Sequence, residues 1–299
     1  MEIIVNEDVN VRIDTYLSQK LDNSRSKVGK MINEGIILVN GKCIKNSYIL
    51  KQDDVITIGE YIEEEMNIEP ENIPLDIIYE DDDVIVVNKS NGMVVHPAIG
   101  NNHGTLVNAL LYHSKKLSNI NGEFRPGIVH RIDAYTTGLL MVAKNNKSHE
   151  ILSEQLSKKE TTRKYIALVW GVIKEDTATI DAPIGRDSND RKKMAVTSIN
   201  SKDAITHLKV LQRFKDATLI ELQLETGRTH QIRVHMNYIG HPVVNDPVYG
   251  RRKQIDNTGQ CLHAYSLGFI HPSINKYMEF KCDIPECFKN ILYKFKENV

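Results

Sequence analysis

The chain has 299 residues, of which 41% are hydrophobic and 26% charged, so a disordered or fibrous chain is excluded. No apolar run approaches the length of a bilayer span, and the acidic N-terminus does not resemble a signal peptide, so we expect a cytoplasmic protein without membrane contact. The four cysteines have neither a disulfide framework nor zinc-ligand spacing, so we expect reduced thiols and no bound metal.

The net charge of −1 hides an uneven distribution along the chain. Residues 60–83 contain 11 acidic and no basic side chains, whereas residues 84–299 contain 30 basic and 20 acidic ones. Residues 20–51 contain seven basic and two acidic side chains. Two basic regions joined by an acidic connector suit a polyanionic partner, with an uneven but solvated surface as the alternative.

The first 59 residues are predicted to form a small domain. A helix is expected over residues 12–21, because apolar positions recur there at helical spacing. A second helix is expected over residues 27–32, with Ser24 or Ser26 as its N-cap and Gly35 as its end.

A hairpin should follow, with strands at residues 36–39 and 42–44 joined by Asn40-Gly41, which favours a type I′ turn. A last strand is expected at residues 55–58. Arg25, Lys27 and Lys30 lie on the second helix, and the unit is a plausible RNA-binding module. From the residues alone, a solvated helix face is an equally good interpretation of these charges.

Residues 60–75 are acidic, contain Pro70 and Pro74 and lack periodicity, so we predict a linker there and a second domain over residues 76–299. Strands and helices are both predicted in that domain, mostly joined by turns, which favours a largely antiparallel α+β body. The predicted strands are 84–87, 139–143, 165–169, 205–211 and 219–224, and the predicted helices are 106–113, 148–156 and 231–239. No glycine-rich nucleotide-binding loop is present, so no cofactor is expected.

Asp133 lies in the sequence His-Arg-Ile-Asp, on a polar loop that leads into the predicted strand at 139–143. A rigid sheet behind such a loop can orient a side chain for chemistry. A single Asp on a loop is more often a turn or cap residue.

A second polar motif, Glu-Thr-Gly-Arg-Thr-His-Gln-Ile-Arg-Val-His, covers residues 225–235. We expect Thr229 to cap the helix that follows and Arg228 to project from the turn, where its planar guanidinium would hold a carboxylate in place. A surface arginine beside a turn is the alternative. His230 and His235 are not at the spacing of a helical metal pair, so packing or hydrogen bonding is expected of them.

Two further stretches complete the set. Tyr165 opens the predicted strand in Arg-Lys-Tyr-Ile-Ala-Leu-Val-Trp-Gly, where it would offer an aromatic face to a base or be a half-buried strand residue. Residues 88–97 read as strand, loop and strand, and would line a cleft.

These four stretches, in this order, resemble the motifs of the RluA/RluD class of pseudouridine synthases from about residue 75 to the C-terminus. Residues 12–58 are similar to the S-four RNA-binding domain that often precedes that catalytic domain. The resemblance implies a mixed, mainly antiparallel sheet with a central cleft, preceded by a small αL-type RNA-binding domain. It implies an RNA isomerase that needs no cofactor and acts on uridines, most often in large-subunit ribosomal RNA, and we expect a monomer.

The resemblance also implies residue roles. Asp133 would be the catalytic carboxylate, and the sequence leaves open whether it attacks the sugar or removes a proton from C2′. Tyr165 would stack on the target uracil, and Arg228 would pair with Asp133. Arg131 would enter the RNA stack when the target nucleotide leaves it. His130 and Lys164, in the same motifs, are further expected RNA contacts.

The sequence departs from the family pattern directly after Asp133, where Ala134 and Tyr135 replace residues that are usually charged or polar. We expect this change to affect substrate preference and rate. A non-catalytic RNA-binding factor that kept the fold is the alternative function, although the joint presence of Asp133, Tyr165 and Arg228 favours an enzyme. An RNA methyltransferase would need a glycine-rich cofactor loop, which the sequence lacks.

Overall fold

The computed structural model describes residues 1–6, 10–61, 68–97, 102–120, 122, 125–190, 192–250 and 252–296, and for Ser26 the backbone alone. The chain divides into two compact units, Met1–Glu65 and Met66–Val299. Among the helices of the described ranges, none combines the length and apolar character needed to cross a membrane.

Among its described residues, the first unit contains two helices and a four-stranded antiparallel sheet of order β1-β4-β2-β3. Its elements are β1 (Glu2–Ile4), α1 (Ile13–Lys20), α2 (Arg25–Asn33), β2 (Ile37–Val39), β3 (Lys42–Cys43) and β4 (Val55–Ile58).

Local sequence signals account for this unit. Ser24 caps α2, since its side chain accepts a hydrogen bond from the backbone N of Lys27 at 3.2 Å. Asn40 and Gly41 have φ values of 50° and 71°, as the predicted type I′ turn requires. Apolar side chains of both helices and of β2 and β4 form one buried cluster. The predicted helices, hairpin and last strand are confirmed.

The described part of the second unit contains a nine-stranded sheet, a separate two-stranded ribbon and four helices. The sheet strands are β5 (Asp76–Glu80), β6 (Val84–Lys89), β7 (Thr137–Ala143), β8 (Thr162–Trp170), β9 (Thr177–Asp181), β12 (Ile205–Arg213), β13 (Ala217–Leu224), β14 (Leu262–Ile270) and β15 (Tyr277–Lys281). The ribbon pairs β10 (Ile184–Arg186) with β11 (Met194–Val196), and the helices are α3 (Leu106–His113), α4 (Asn146–Ser157), α5 (Gln231–Tyr238) and α6 (Glu286–Lys296).

The sheet order is β5-β6-β7-β14-β8-β13-β12-β9, with β15 paired to β14 outside that path. All pairings are antiparallel except that of β7 with β14, which is parallel. Gly138 lies at this parallel contact with a φ of 108°, and a Cβ there would lie 2.2 Å from the Ala264 oxygen. The mixed, mainly antiparallel sheet and the α+β class are confirmed.

Both faces of the central strands are buried. In β6, Ile85 and Val87 belong to the main apolar cluster, while Val84 and Val86 belong to a cluster on the other face. Side chains alternate across a strand, so this division places one core on each side of the sheet. The main cluster includes side chains from α3 and α5, and it supports the cleft that contains Asp133.

The predicted linker spans residues 60–75. Its segment 62–67 lies outside the described residues. Residues after position 67 are bonded to α3. The backbone N–H of Glu71 donates to the backbone oxygen of Asn108, and the side-chain amide of Asn108 donates to the backbone oxygen of Glu69. The part of the connector after residue 67 is therefore attached to the second unit.

Candidate active site

Asp133 lies at the end of a loop that is fixed to β7. His130 accepts a hydrogen bond at Nε2 from the backbone N of Met141 at 3.1 Å, and Ile132 is buried in the main core. Burial, with a contribution from Arg163, lowers the pKa of His130 to about 3, so the imidazole is neutral and can accept. His130 was expected to bind RNA; its structural contact is to the backbone, and an RNA contact stays a prediction.

A buried lysine holds the other side of the same loop. Lys89, at the end of β6, is 1% exposed and donates hydrogen bonds from Nζ to the backbone oxygens of Ser90, Met93 and Ala134 at 2.9, 2.8 and 2.7 Å. Burial lowers the Lys89 pKa to about 7, against the attraction of Asp133. Residues 88–97 were expected to line a cleft; through Lys89 this stretch fixes the backbone next to Asp133.

Arg233 is the partner of Asp133. Its Nη1 donates to Asp133 Oδ2 at 2.8 Å, while Nε and Nη2 donate to the two oxygens of Asp246 at 2.7 and 2.9 Å. Asp246 has a fully buried side chain and also accepts from the backbone N of Val248 and Tyr249. Arg233 therefore links the loop carboxylate to a second, buried carboxylate.

The charges of Asp133, Arg233 and Asp246 stabilise one another. Burial alone would raise the pKa of Asp246, but the hydrogen bonds and charge of Arg233 hold that pKa below its ordinary value. Burial alone would lower the pKa of Arg233, but Asp246 and then Asp133 raise it. Arg233 and Asp246 are therefore ionised, and Asp133 faces a fixed positive charge.

The predicted pairing of Arg228 with Asp133 was wrong. Arg228 lines the same cleft, but its Nε donates to the backbone oxygen of Asp203 at 2.8 Å. The physical reason is the start of α5: Arg228 precedes that helix, whereas Arg233 lies in its first turn on the buried face. Thr229 is not the N-cap either. That position belongs to His230, which has a φ of 58° and no side-chain cap bond.

The two histidines of this motif form hydrogen bonds within the protein, as expected. His235 is buried and bonded to the Thr206 hydroxyl and the Ala182 oxygen at 2.9 Å each. His230 contacts the Tyr249 hydroxyl at 2.8 Å and lies 3.8 Å from Asp133, and burial lowers its pKa despite that carboxylate.

Tyr165 and Asp133 line one cleft with a volume of about 330 Å³. Tyr165 is 7% exposed and lies on β8, which is separated from β7 by β14. Burial raises the pKa of its phenol, with Asp133 adding to this effect and Arg163 opposing it. A neutral aromatic side chain therefore lies in the same cavity as the carboxylate.

The other expected RNA contacts of this unit fall on different surfaces. Arg131 is exposed at the cleft, with Nη1 3.4 Å from Nε2 of His96. Lys164 is the neighbour of Tyr165 on β8 and faces the opposite side, 3.9 Å from Glu221. Lys164 therefore does not belong to the cleft, and a contact between it and RNA stays a prediction.

In the first unit, the expected RNA-binding side chains of α2 have protein partners. Arg25 pairs with Asp14 at 3.0 Å, and Lys30 lies 3.8 Å from Glu34. The Nζ atoms of Lys27 and Lys30 are each 5.9 Å from the ring centre of Tyr61. Partners on the protein hold these cations in place, and their RNA contacts stay predictions.

One group in the described ranges has the residue types of a metal site: Asp81, Asp83 and His271. The His271 ring is bonded to Asp81 at 2.7 Å, and Asp83 accepts from Asn145 and Ser148 at 2.9 Å. These bonds make the group a structural network, and none of its members lines the cleft. All four cysteines are free.

Family models match both units of the chain. A family model described as RNA pseudouridylate synthase matches residues 83–238, and an S4 domain model matches residues 11–56. The human protein RNA Pseudouridylate Synthase Domain Containing 1 has a similar structure, with a TM-score of 0.58 and 26% identity over 75% of this chain and 95% of that one.

Relatives extend over nearly the whole chain. It is 52% identical to "Uncharacterized RNA pseudouridine synthase YlyB" of Bacillus subtilis (strain 168), covering 98% of this chain and 96% of that protein. It is 41% identical to "Ribosomal large subunit pseudouridine synthase D" of Escherichia coli O6:H1, covering 92% of this chain and 87% of that protein. The chain therefore belongs to the RNA pseudouridylate synthase family, with an N-terminal S4 domain, and is an enzyme that isomerises uridine in RNA.

Proposed function

We propose that the enzyme converts specific uridines of large-subunit ribosomal RNA to pseudouridine by base flipping and a cleavage step that depends on Asp133. The observation that carries this proposal is the position of Asp133, fixed by Arg233 in a cleft that also contains Tyr165. The ribosomal substrate is taken from the relatives named as large-subunit synthases, which include proteins 42% and 41% identical to this chain.

Asp133 serves the step in which the bond between uracil N1 and sugar C1′ breaks. Positive charge develops on the sugar as that bond lengthens, and an ionised carboxylate held close to C1′ stabilises it. Uracil then turns, and its C5 forms the new bond to C1′ as the C5 proton leaves and N1 gains a proton. The buried floor of the cleft keeps water away from the sugar, which would otherwise be hydrolysed.

Tyr165 and Arg131 serve the flipped state. Tyr165 offers its ring for stacking on uracil, and a raised phenol pKa keeps that ring neutral at physiological pH. Arg131 is exposed at the cleft, on the same loop as Asp133, where its guanidinium can replace the departed base in the RNA stack. Flipping costs a few kcal/mol, and this replacement offsets part of it.

Release of tritium from 5-tritiated uridine tests the proposal, because the C5 hydrogen leaves only when the new carbon bond forms. Unmodified large-subunit RNA should release tritium with the wild type and at least about 100-fold more slowly with Asp133→Asn. Asp216→Asn, in the exposed turn between β12 and β13, is the matched control and should be fully active.

Two results would oppose the proposal. Retained release by Asp133→Asn would remove the carboxylate from the mechanism. Absence of release from any RNA, with RNA binding intact, would favour the non-catalytic RNA-binding factor. Mapping pseudouridines in cells with and without the gene identifies the target RNA.

A further inference from the structure

The cleft contains four arginines, and they are not equivalent. Arg131, Arg163, Arg228 and Arg233 all line the cavity, whose one carboxylate is Asp133. Within the described residues, only Arg233 of these four lies within 4.0 Å of carboxylate oxygens, those of Asp133 and Asp246. The other three guanidinium groups therefore bring positive charge to the cleft, and no carboxylate in the described part of the chain lies at ion-pair distance to neutralise it.

Arg163 is the most deeply buried of these three. It is 7% exposed and lies two residues from Tyr165 on the same face of β8. Nη2 donates to the Glu225 backbone oxygen at 3.1 Å, while the buried Nε has no hydrogen-bond partner among the described residues. Burial lowers the Arg163 pKa, and no carboxylate is among the groups that oppose this effect.

The backbone beside Arg163 is shaped to accommodate it. A Cβ at Gly227 would lie 2.8 Å from Nη1 of Arg163, so a side chain at position 227 would displace the guanidinium. The turn that contains Glu225 and Gly227 thus accepts one hydrogen bond and leaves room for the charged group. A buried charge without a counterion is costly, and it is kept where a ligand supplies the opposite charge.

We propose that Arg163 is a phosphate-binding residue of the cleft, and that it holds the phosphodiester next to the target uridine once that nucleotide has flipped. Uracil and ribose are uncharged, so the phosphate is the anion that the substrate brings. The planar fork of an arginine matches phosphate oxygens in two parallel hydrogen bonds. This proposal rests on the flipping step of the proposed function.

A coupling experiment tests the contact. An RNA fragment in which the wild type releases tritium is prepared with a neutral methylphosphonate immediately 5′ or 3′ of the target uridine. One of the two replacements should weaken binding to the wild type about tenfold or more, as expected for a hydrogen bond to a charged group. Arg163→Met has no charge at this position, so the same methylphosphonate should weaken its binding of the RNA little further. Equal losses in both proteins at both positions would overturn the proposal.

Stability separates ligand binding from a structural role. Arg163→Met removes an uncompensated charge and should leave the unfolding midpoint unchanged or higher. Arg213→Met is the matched control, because Arg213 is bonded to the Ile173 oxygen and paired with Asp176, and its midpoint should fall. Arg163→Lys keeps a charge, so the methylphosphonate should again weaken its RNA binding, although less than it weakens binding to the wild type. A lower midpoint for Arg163→Met, with no recovery by Arg163→Lys, would show that Arg163 is structural.

Inorganic phosphate distinguishes an RNA phosphodiester from a free anion. If phosphate raises the wild-type midpoint but methylphosphonate has no effect at either position, the site binds free phosphate and the RNA contact is refuted. All these variants retain Asp133, so their binding data leave the tritium test of that residue independent.

Discussion

Asp246 accepts two hydrogen bonds from Arg233, and through this arginine it determines where Asp133 lies. Asp246 is 13 residues from Arg233, and within the described residues it forms no hydrogen bond with Asp133 itself. It is therefore a positioning residue of the site rather than a catalytic one.

Asp246→Asn should lower turnover more than RNA affinity. The amide leaves Arg233 with a weaker, mismatched partner, and breaking a buried ion pair costs about 3–5 kcal/mol of stability. Single-turnover kinetics and urea unfolding measure the two effects. Asp176→Asn is the control, because it breaks the exposed pair with Arg213, which is worth about 1 kcal/mol or less. Equal unfolding losses in the two variants would contradict a special role for Asp246.

Lysine substitutions at Arg233 and Arg228 should differ in their effect on turnover. Arg233→Lys keeps a charge but cannot bridge two carboxylates, so turnover should fall about 10-fold to 100-fold with little change in RNA affinity. Arg228→Lys should change RNA affinity about twofold or less and leave turnover intact, since its protein contact is a backbone oxygen. Titration of binding and single-turnover rates with one RNA measures both. A larger turnover loss in Arg228→Lys than in Arg233→Lys would support the expected pairing of Arg228 with Asp133.

Lys89→Met should loosen the loop that contains Asp133. The substitution leaves three carbonyl oxygens without their donor, and each buried unsatisfied group costs about 1–3 kcal/mol. We expect lower stability and a turnover reduced about tenfold, because the Ala134 backbone is released next to Asp133. Lys289→Met, on α6 and paired with Glu286, controls for the lost charge. A defect in RNA affinity alone would argue against loop positioning.

His130 should make stability depend on pH. Its pKa is about 3 in the folded protein, against an ordinary value of 6.5 that applies to the unfolded chain, so the unfolded chain binds the proton first as pH falls. The contribution of His130 is therefore complete above pH 6.5 and is lost as pH falls toward 3, at up to about 1.4 kcal/mol per pH unit.

Urea unfolding between about pH 4.5 and 7.5 measures this slope across the window in which the unfolded chain takes up the proton. His130→Asn cannot take up a proton, so its slope should be shallower than that of the wild type. His103→Asn, at an exposed site, is the control for the same change of residue type. Identical slopes for the wild type and His130→Asn would mean that the ring takes up a proton as readily in the folded protein as in the unfolded chain, contrary to its role as acceptor for the Met141 backbone N–H.

Local signals predicted much of the fold. Ser24 as a cap, Asn40-Gly41 as a turn and the strand at residues 219–224 all depend on residues close in sequence, and the structure confirms them. β14 was not predicted. Its residues are buried on both faces, so it has no alternating pattern, and its parallel pairing with β7 joins residues more than 120 positions apart.

The sequence located the three stretches that we propose for the chemistry: the loop with Asp133, the strand with Tyr165 and the motif at residues 225–235. Tertiary structure decided which arginine meets the carboxylate. Arg228 and Arg233 are five residues apart in one motif, and the packing of α5 on the sheet brings Arg233 to Asp133 across 100 residues of chain. The burial of Lys89, Arg163 and Asp246 was decided in the same way, because burial depends on what the whole fold packs around a side chain.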